Sequence, residues 1–201
     1  LANDVGVSWN DESIGNMFRE TYAGQWFNNI LWQNDPDVLY LRDSDITLTA
    51  EEKESIALWN GILGGTITTS DRFHKLSPDK LKLWRFLQPP REHFTAFLPF
   101  WTEKKDLLVA VRHYPHTEAW GVLFVNITKE RLSEKIPVRS LTGVSETYVY
   151  QWMPGNSVPF GLLEEISISL RPHESRLFYL SQRKSPPPRN MTIGGIMTEG
   201  M

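Results

Sequence analysis

Two adjacent prolines, Pro89 and Pro90, divide this 201-residue chain into halves of different texture. Proline removes a backbone donor and forces the residue before it toward extended geometry, so no regular element runs through the pair. Before it, short apolar or β-branched runs alternate with amphipathic helical patterns. After it, the runs are short and strand-like, with turn residues between several of them.

In the first half, Ile14, Met17, Phe18, Tyr22 and Trp26 recur at three/four spacing and predict a helix over 13–27 with one buried face. Val38-Leu39-Tyr40-Leu41 predicts a buried strand. Thr49 and Glu52 make a capping box, in which hydroxyl and carboxylate satisfy free N–H groups at a helix start. Ile56, Trp59, Ile62 and Leu63 follow on one face, and Gly64-Gly65 ends the helix in the left-handed conformation. Thr66 to Thr69 is β-branched and predicts a second strand. Ser77-Pro78 opens a third helix, with Leu81, Trp84 and Leu87 as its stripe. Strand and helix alternating at this pitch imply βα units on a parallel sheet. An open sheet of so few units would leave both edges bare, so part of a (β/α)8 barrel is the better expectation.

The second half predicts strands over 94–100, 107–114, 119–126, 136–141, 147–152, 166–170 and 177–181. Such a series suggests an antiparallel sandwich or open barrel. From Ser185 the chain turns proline-rich and then glycine-rich, which predicts a tail without packing of its own. The expected organisation is therefore 1–90 as barrel units, 91–182 as an antiparallel β-domain and 183–201 as a flexible tail. The fold class is α/β plus all-β.

Composition excludes several functions. Net charge is −3 with scattered Lys and Arg, which argues against a nucleic-acid surface. There is no cysteine, so disulfides, zinc thiolates and thiol nucleophiles are out. No apolar run is long enough to span a bilayer. No signal peptide is visible, and the chain fits a reducing, cytoplasmic setting. The first residue is not Met, and the start reads as a cut inside a longer chain. Asn126-Ile127-Thr128 and Asn190-Met191-Thr192 match the glycosylation pattern.

The candidate chemistry is acidic. Asp4 precedes the turn Val5-Gly6-Val7-Ser8-Trp9, Asp35 and Asp37 precede a strand, and Asp71 follows one. On parallel strands Asp4 and Asp71 point to one face. Glycoside hydrolysis needs two carboxylates flanking the bond. Asp is equally at home in turns and caps, and Asn34-Asp35-Pro36-Asp37 reads first as a structural Asx turn. Among the eight tryptophans, Trp9 is the candidate wall of a sugar subsite. His113 and His116 lack a third ligand, so no metal is expected, and no cofactor motif occurs.

Asp4 to Trp9, Trp32-Gln33-Asn34-Asp35-Pro36-Asp37-Val38-Leu39-Tyr40-Leu41-Arg42, Leu48-Thr49 with Glu52, Gly64-Gly65 and Ser70-Asp71 together resemble glycoside hydrolase family 36, the bacterial α-galactosidases. The resemblance covers residues 1–90 by motif and 91–182 by texture only. It implies the last three βα units of the family's barrel and its C-terminal β-domain. It places the general acid/base at Asp4, with the nucleophile upstream of this chain, so the isolated chain is expected to be inactive. It implies an α-galactoside substrate, hydrolysed with retention; the scattered charge and short apolar runs argue against a nucleic-acid or membrane partner, and homo-oligomerisation stays open. Neighbouring readings are an α-N-acetylgalactosaminidase or a galactosyl transferase of the same fold. A different reading is a non-catalytic carbohydrate-binding module, with Trp101, Trp120 and Trp152 as an exposed sugar-binding face.

Overall fold

The computed structural model describes residues 4–88, 106–114 and 117–196. The expected strand over 94–100, Trp101, His116 and the Pro89-Pro90 pair lie outside them.

Asn10 accepts the Ser13 amide at 2.8 Å and starts a π-helical turn, Asp11–Gly15, that runs into α1, Asn16–Gly24. Ile14, Met17, Phe18 and Tyr22 are buried as their spacing predicts. The helix stops earlier than its periodicity suggests, and Trp26 is 59% exposed. Next come β1, Val38–Leu39, and α2, Ala50–Leu63. The capping box on α2 is present in both directions, with Thr49 Oγ1 accepting from the Glu52 amide and Glu52 accepting from the Thr49 amide.

Gly64 takes φ 71° at the end of α2. Gly65 is needed for a different reason: a Cβ there would lie 2.2 Å from the Asn34 carbonyl oxygen. The last carbonyls of α2 are satisfied by amides from the segment after α1. Gln25 and Asn28 donate to Leu63 O and Asn29 donates to Gly64 O. β2, Thr68–Thr69, pairs in parallel with β1, and α3, Pro78–Leu87, follows. Ser77 makes no side-chain cap, and α3 buries Phe86 and Leu87.

The second half forms β3, Leu107–Tyr114; β4, Ala119–Asn126; β5, Leu132–Pro137; a short helix α4, Val138–Thr142; β6, Thr147–Met153; β7, Asn156–Leu163; β8, Glu165–Leu170; and β9, Ser175–Ser181. One antiparallel sheet has the order β3-β4-β9-β6-β7, and β5 pairs with β8 in a second. Two expectations are corrected. The strand expected over 136–141 ends at Pro137, which lacks a ladder donor, and the chain turns into α4, closed by Gly143 at φ 82°. β7 is a strand the sequence did not suggest. Pro159 is tolerated because β7 is the sheet edge, and the register shift between Val149 and Tyr150 marks a bulge beside Gly161, φ 104°.

Apart from the largely exposed edge strand β7, the five-stranded sheet is covered on both faces. One face shares a core with α1, α2 and α3, in which Trp59, Phe18, Leu123 and Leu177 are all buried. The other packs Val109, Val122, Phe124 and Phe178 against Ile136, Ile166 and Ile168 of the small sheet. The segments before and after the double proline therefore share one core. Part of the tail belongs to it too. β10, Met191–Thr192, and β11, Gly195–Ile196, form a hairpin. Met191 and Ile193 are buried, Ile193 N donates to Phe86 O at 3.0 Å, and Tyr114 Oη donates to Ile193 O at 2.7 Å. The expected loose tail is thus packed over these residues. Its apolar side chains are isolated among prolines and glycines, so no periodicity reveals them. Gly61 makes room, since a Cβ there would meet Ile193 and Leu87 at 2.8 Å.

Candidate active site

Asn34, Asp35, Asp37 and Asp71 are all engaged in holding the βα segment together. Asn34 is buried. Its amide nitrogen donates to Thr21 O and Gln25 Oε1, its side-chain oxygen accepts from Trp32 Nε1, and its carbonyl accepts from the Thr66 amide. Asp35 accepts the Asp37 amide at 3.0 Å in an Asx turn, and Asp37 itself has φ 66°. The Asp71 carboxylate has no exposed surface. It accepts the amides of Leu41 (2.5 Å) and Arg42 (3.2 Å) and pairs with Arg42 Nη1 at 2.9 Å. It fastens the end of β1 to the end of β2. Asp71 and Asp4 are therefore not an equivalent pair: Asp71 is consumed by structure.

Asp4 is exposed, and its carboxylate has no hydrogen bond among the described residues. The backbone beside it is pinned from both sides of β1. Val5 N donates to Asp37 Oδ2 at 2.7 Å, and Tyr40 Oη donates to Val5 O at 3.3 Å. The Tyr40 phenol is pushed up, first by burial; Arg42 opposes the shift, and Asp37, Asp71 and Asp4 add to it. The Arg42 guanidinium lies 4.7 Å over the Tyr40 ring. One neighbourhood thus holds an exposed carboxylate, a phenol and a guanidinium fixed by a buried acid.

Trp9 is half-buried. His173, from the turn between β8 and β9, stacks on its indole at 4.0 Å and 11°, and Phe18 packs at 5.4 Å. His173 Nδ1 lies 2.7 Å from Glu52 Oε1, its carbonyl accepts from Ser55 Oγ at 2.7 Å, and Arg171 pairs with Glu51 at 3.0 Å. These contacts fix the start of α2 to the second half of the chain, and Trp9 is held in that junction. Sequence patterning offered no signal for His173, which lies in a turn far along the chain.

Two pockets flank Arg42. One of about 450 Å³ is bordered by Asp43, Lys53, Glu54 and Lys80, with Leu41, Leu83 and Met153 as apolar wall. Its charges are largely self-satisfied: Asp43 pairs with Lys53 and Lys80, which hold its carboxyl down at about 2. Burial pushes the Glu54 carboxyl up, helped by Glu51 and Glu174. The other pocket, about 320 Å³, lies beyond the ends of β1 and β2.

The expected exposed aromatic face of a binding module is not formed by Trp120 and Trp152. They are 8% and 4% exposed, and Trp152 makes edge contacts with Phe86, Tyr114 and Tyr179. His113 stacks beside Trp120 at 5.3 Å. Asn126 is not available to a glycan: it is buried, donates to Glu130 O and Arg171 O, and accepts from Thr128.

No family model matches the chain, and no curated protein matches it by sequence. Its fold is similar to that of solved glycosidases. α-Galactosidase I from Mortierella vinacea aligns with a TM-score of 0.73 at 13% identity, over 92% of this chain and 53% of that one. A family 27 β-L-arabinopyranosidase from Geobacillus stearothermophilus aligns with a TM-score of 0.70 at 16% identity, over 86% and 42%. The α-galactosidase of Saccharomyces cerevisiae, solved with raffinose, aligns with a TM-score of 0.60 at 11% identity, over 84% and 51%. The chain spans about half the length of these proteins or less. The likeness establishes an α-galactosidase-like fold and does not single out family 36, the family that the sequence motifs resemble.

Proposed function

We propose that this chain is the proton-donating part of a retaining glycoside hydrolase of the α-galactosidase type, with residues 1–90 as the closing βα units of its barrel. One observation carries the reading. Of the aspartates in the motif segments, Asp4 has an exposed carboxylate with no hydrogen bond among the described residues, beside Val5, whose backbone is pinned by Asp37 and Tyr40, whereas Asp35, Asp37 and Asp71 are bound into the structure. An acid/base must be reachable by substrate and carried on a positioned backbone; Asp4 is exposed, and the next residue, Val5, is fixed by two hydrogen bonds. The fold likeness to α-galactosidases supports the same reading.

The nucleophile belongs to a preceding part of the polypeptide. It attacks the anomeric carbon while Asp4 protonates the departing oxygen, and Asp4 then takes a proton from the water that releases the sugar. The two carboxylates of such a pair stand about 5–5.5 Å apart. Trp9 borders the sugar subsite with the part of its indole that His173 and Phe18 leave uncovered.

A second observation favours a longer polypeptide. Trp26, Phe27, Ile30, Leu31 and Trp32 are 59%, 45%, 72%, 68% and 49% exposed in a single stretch of chain. Contiguous apolar surface of this kind marks a face meant for contact. The two-residue strands β1 and β2 also need neighbours to form a sheet of ordinary size. Both are met by further βα units.

The test is hydrolysis of an aryl α-galactoside by the full-length polypeptide, with and without Asp4→Ala. The expected loss is about 10²–10⁴-fold. An active, folded parent that ignores the substitution removes Asp4 from the mechanism.

A further inference from the structure

We propose that the pocket beyond the ends of β1 and β2 binds an anionic group, a carboxylate, sulfate or phosphate, carried by the sugar substrate. The substrate part of this inference rests on the glycosidase reading; the anion part does not.

The pocket is bordered by Arg42, Ser44, Asp45, Ser70, Arg72 and Lys75. Its cations come from the loop after β1 (Arg42), the loop after β2 (Arg72) and the 3-10 turn that follows, Phe73–Lys75 (Lys75), so they converge through the fold and not along one helix face. Arg42 is preorganised. Its Nε donates to Ser44 O at 3.2 Å, and its Nη1 donates to Ser70 Oγ at 3.1 Å and to Asp71 Oδ1 at 2.9 Å. Its plane lies over Tyr40. Nη2 keeps its donors unspent among the described residues, and the side chain is 27% exposed. A guanidinium held this way loses little entropy on meeting an oxyanion and offers it the Nη2 hydrogens.

Arg72 and Lys75 make no ion pair among the described residues, in contrast to Lys53 and Lys80 across the strand end, which are both spent on Asp43. The two hydroxyls add neutral donors. Asp45 is the one carboxylate bordering the pocket, and Asp71 beneath is already neutralised by Arg42. Charge balance therefore favours an anion over a neutral sugar. Position ties the pocket to the proposed chemistry: Arg42 packs on Tyr40, and Tyr40 holds the backbone beside Asp4.

The experiment is calorimetric titration of the full-length polypeptide with sodium sulfate at constant ionic strength, chloride being the balancing anion. It is repeated on the double variant Arg72→Gln, Lys75→Gln. Both side chains are exposed, so the fold should be kept. The expected result is saturable sulfate binding that weakens about tenfold or more in the variant, equivalent to the loss of roughly one good contact. Absence of saturable binding, or equal binding by both proteins, overturns the proposal. A paired kinetic arm compares a neutral aryl α-galactoside with a sulfated one. The variant should lose rate on the sulfated substrate alone; equal losses on both overturn the assignment to substrate. Sulfate binding that depends on Arg72 and Lys75, in a protein that hydrolyses neither compound, supports the pocket and rejects the glycosidase reading, so the two failures separate.

Discussion

The five-stranded sheet and the β1–β2 pair are stabilised by different means. The inner strands of the sheet are buried on both faces, every residue of β4 among them, and only the edge strand β7 is largely exposed. The sheet is held by apolar area and long ladders. The parallel pair has two paired positions and is held by polar latches: Asp71 across the strand ends, Thr69 Oγ1 to Leu39 O, Thr68 Oγ1 to Asp37 O, and Asn34 between α1 and the chain before β2. Its surroundings include the exposed stretch 26–32. Burial against the helices and the small sheet holds the first region together. The second is fixed by these latches and keeps an exposed apolar stretch beside it.

Substitutions can break or sharpen this contrast. The largest effect is expected for Phe124→Ala, in the core between the two sheets and in edge contact with Phe178 at 5.8 Å. Denaturant unfolding should register a loss of about 3–5 kcal/mol. Asp71→Ala comes next, at about 3 kcal/mol, because it strands the Leu41 and Arg42 amides and leaves Arg42 without its acid. A loss well under 1 kcal/mol would mean that the latch does not hold the parallel pair. Thr49→Ala removes half of the α2 capping box and should lower stability by about 1 kcal/mol in the same assay. Leu31→Ser is the smallest: in this chain alone it should stay within about 0.5 kcal/mol, since Leu31 is 68% exposed. In a longer polypeptide that covers this face, the same change should cost about 1.5–3 kcal/mol. Equal small effects in both settings would show that nothing packs there.

The same division explains what the sequence could reveal. Periodicity tracks burial, so β3, β4, β6, β8 and β9 were legible, as were the buried face of α1 and both ends of α2. β7 was not, because an edge strand may carry Pro159 and Gly161 without breaking its pairing. Ile193 was not, because a single buried side chain has no period. Around the candidate site, the structural roles of Asn34 and Asp35 could be read from turn chemistry. That Asp71 is wholly consumed by Arg42 and two amides could not, because those partners lie about thirty residues away in sequence. Nor could the stacking of His173 on Trp9, which joins residues from opposite ends of the chain.

The central claim is that Asp4 protonates the leaving oxygen. It is tested most directly by a series of aryl α-galactosides of decreasing leaving-group pKa, hydrolysed by the full-length polypeptide and its Asp4→Ala variant. A phenolate that leaves readily needs no proton, so the variant should approach the parent on the most acidic phenol and fall about 10²–10⁴-fold behind on the least acidic. A loss that is the same for every leaving group would contradict proton donation by Asp4 and assign it to holding the site together.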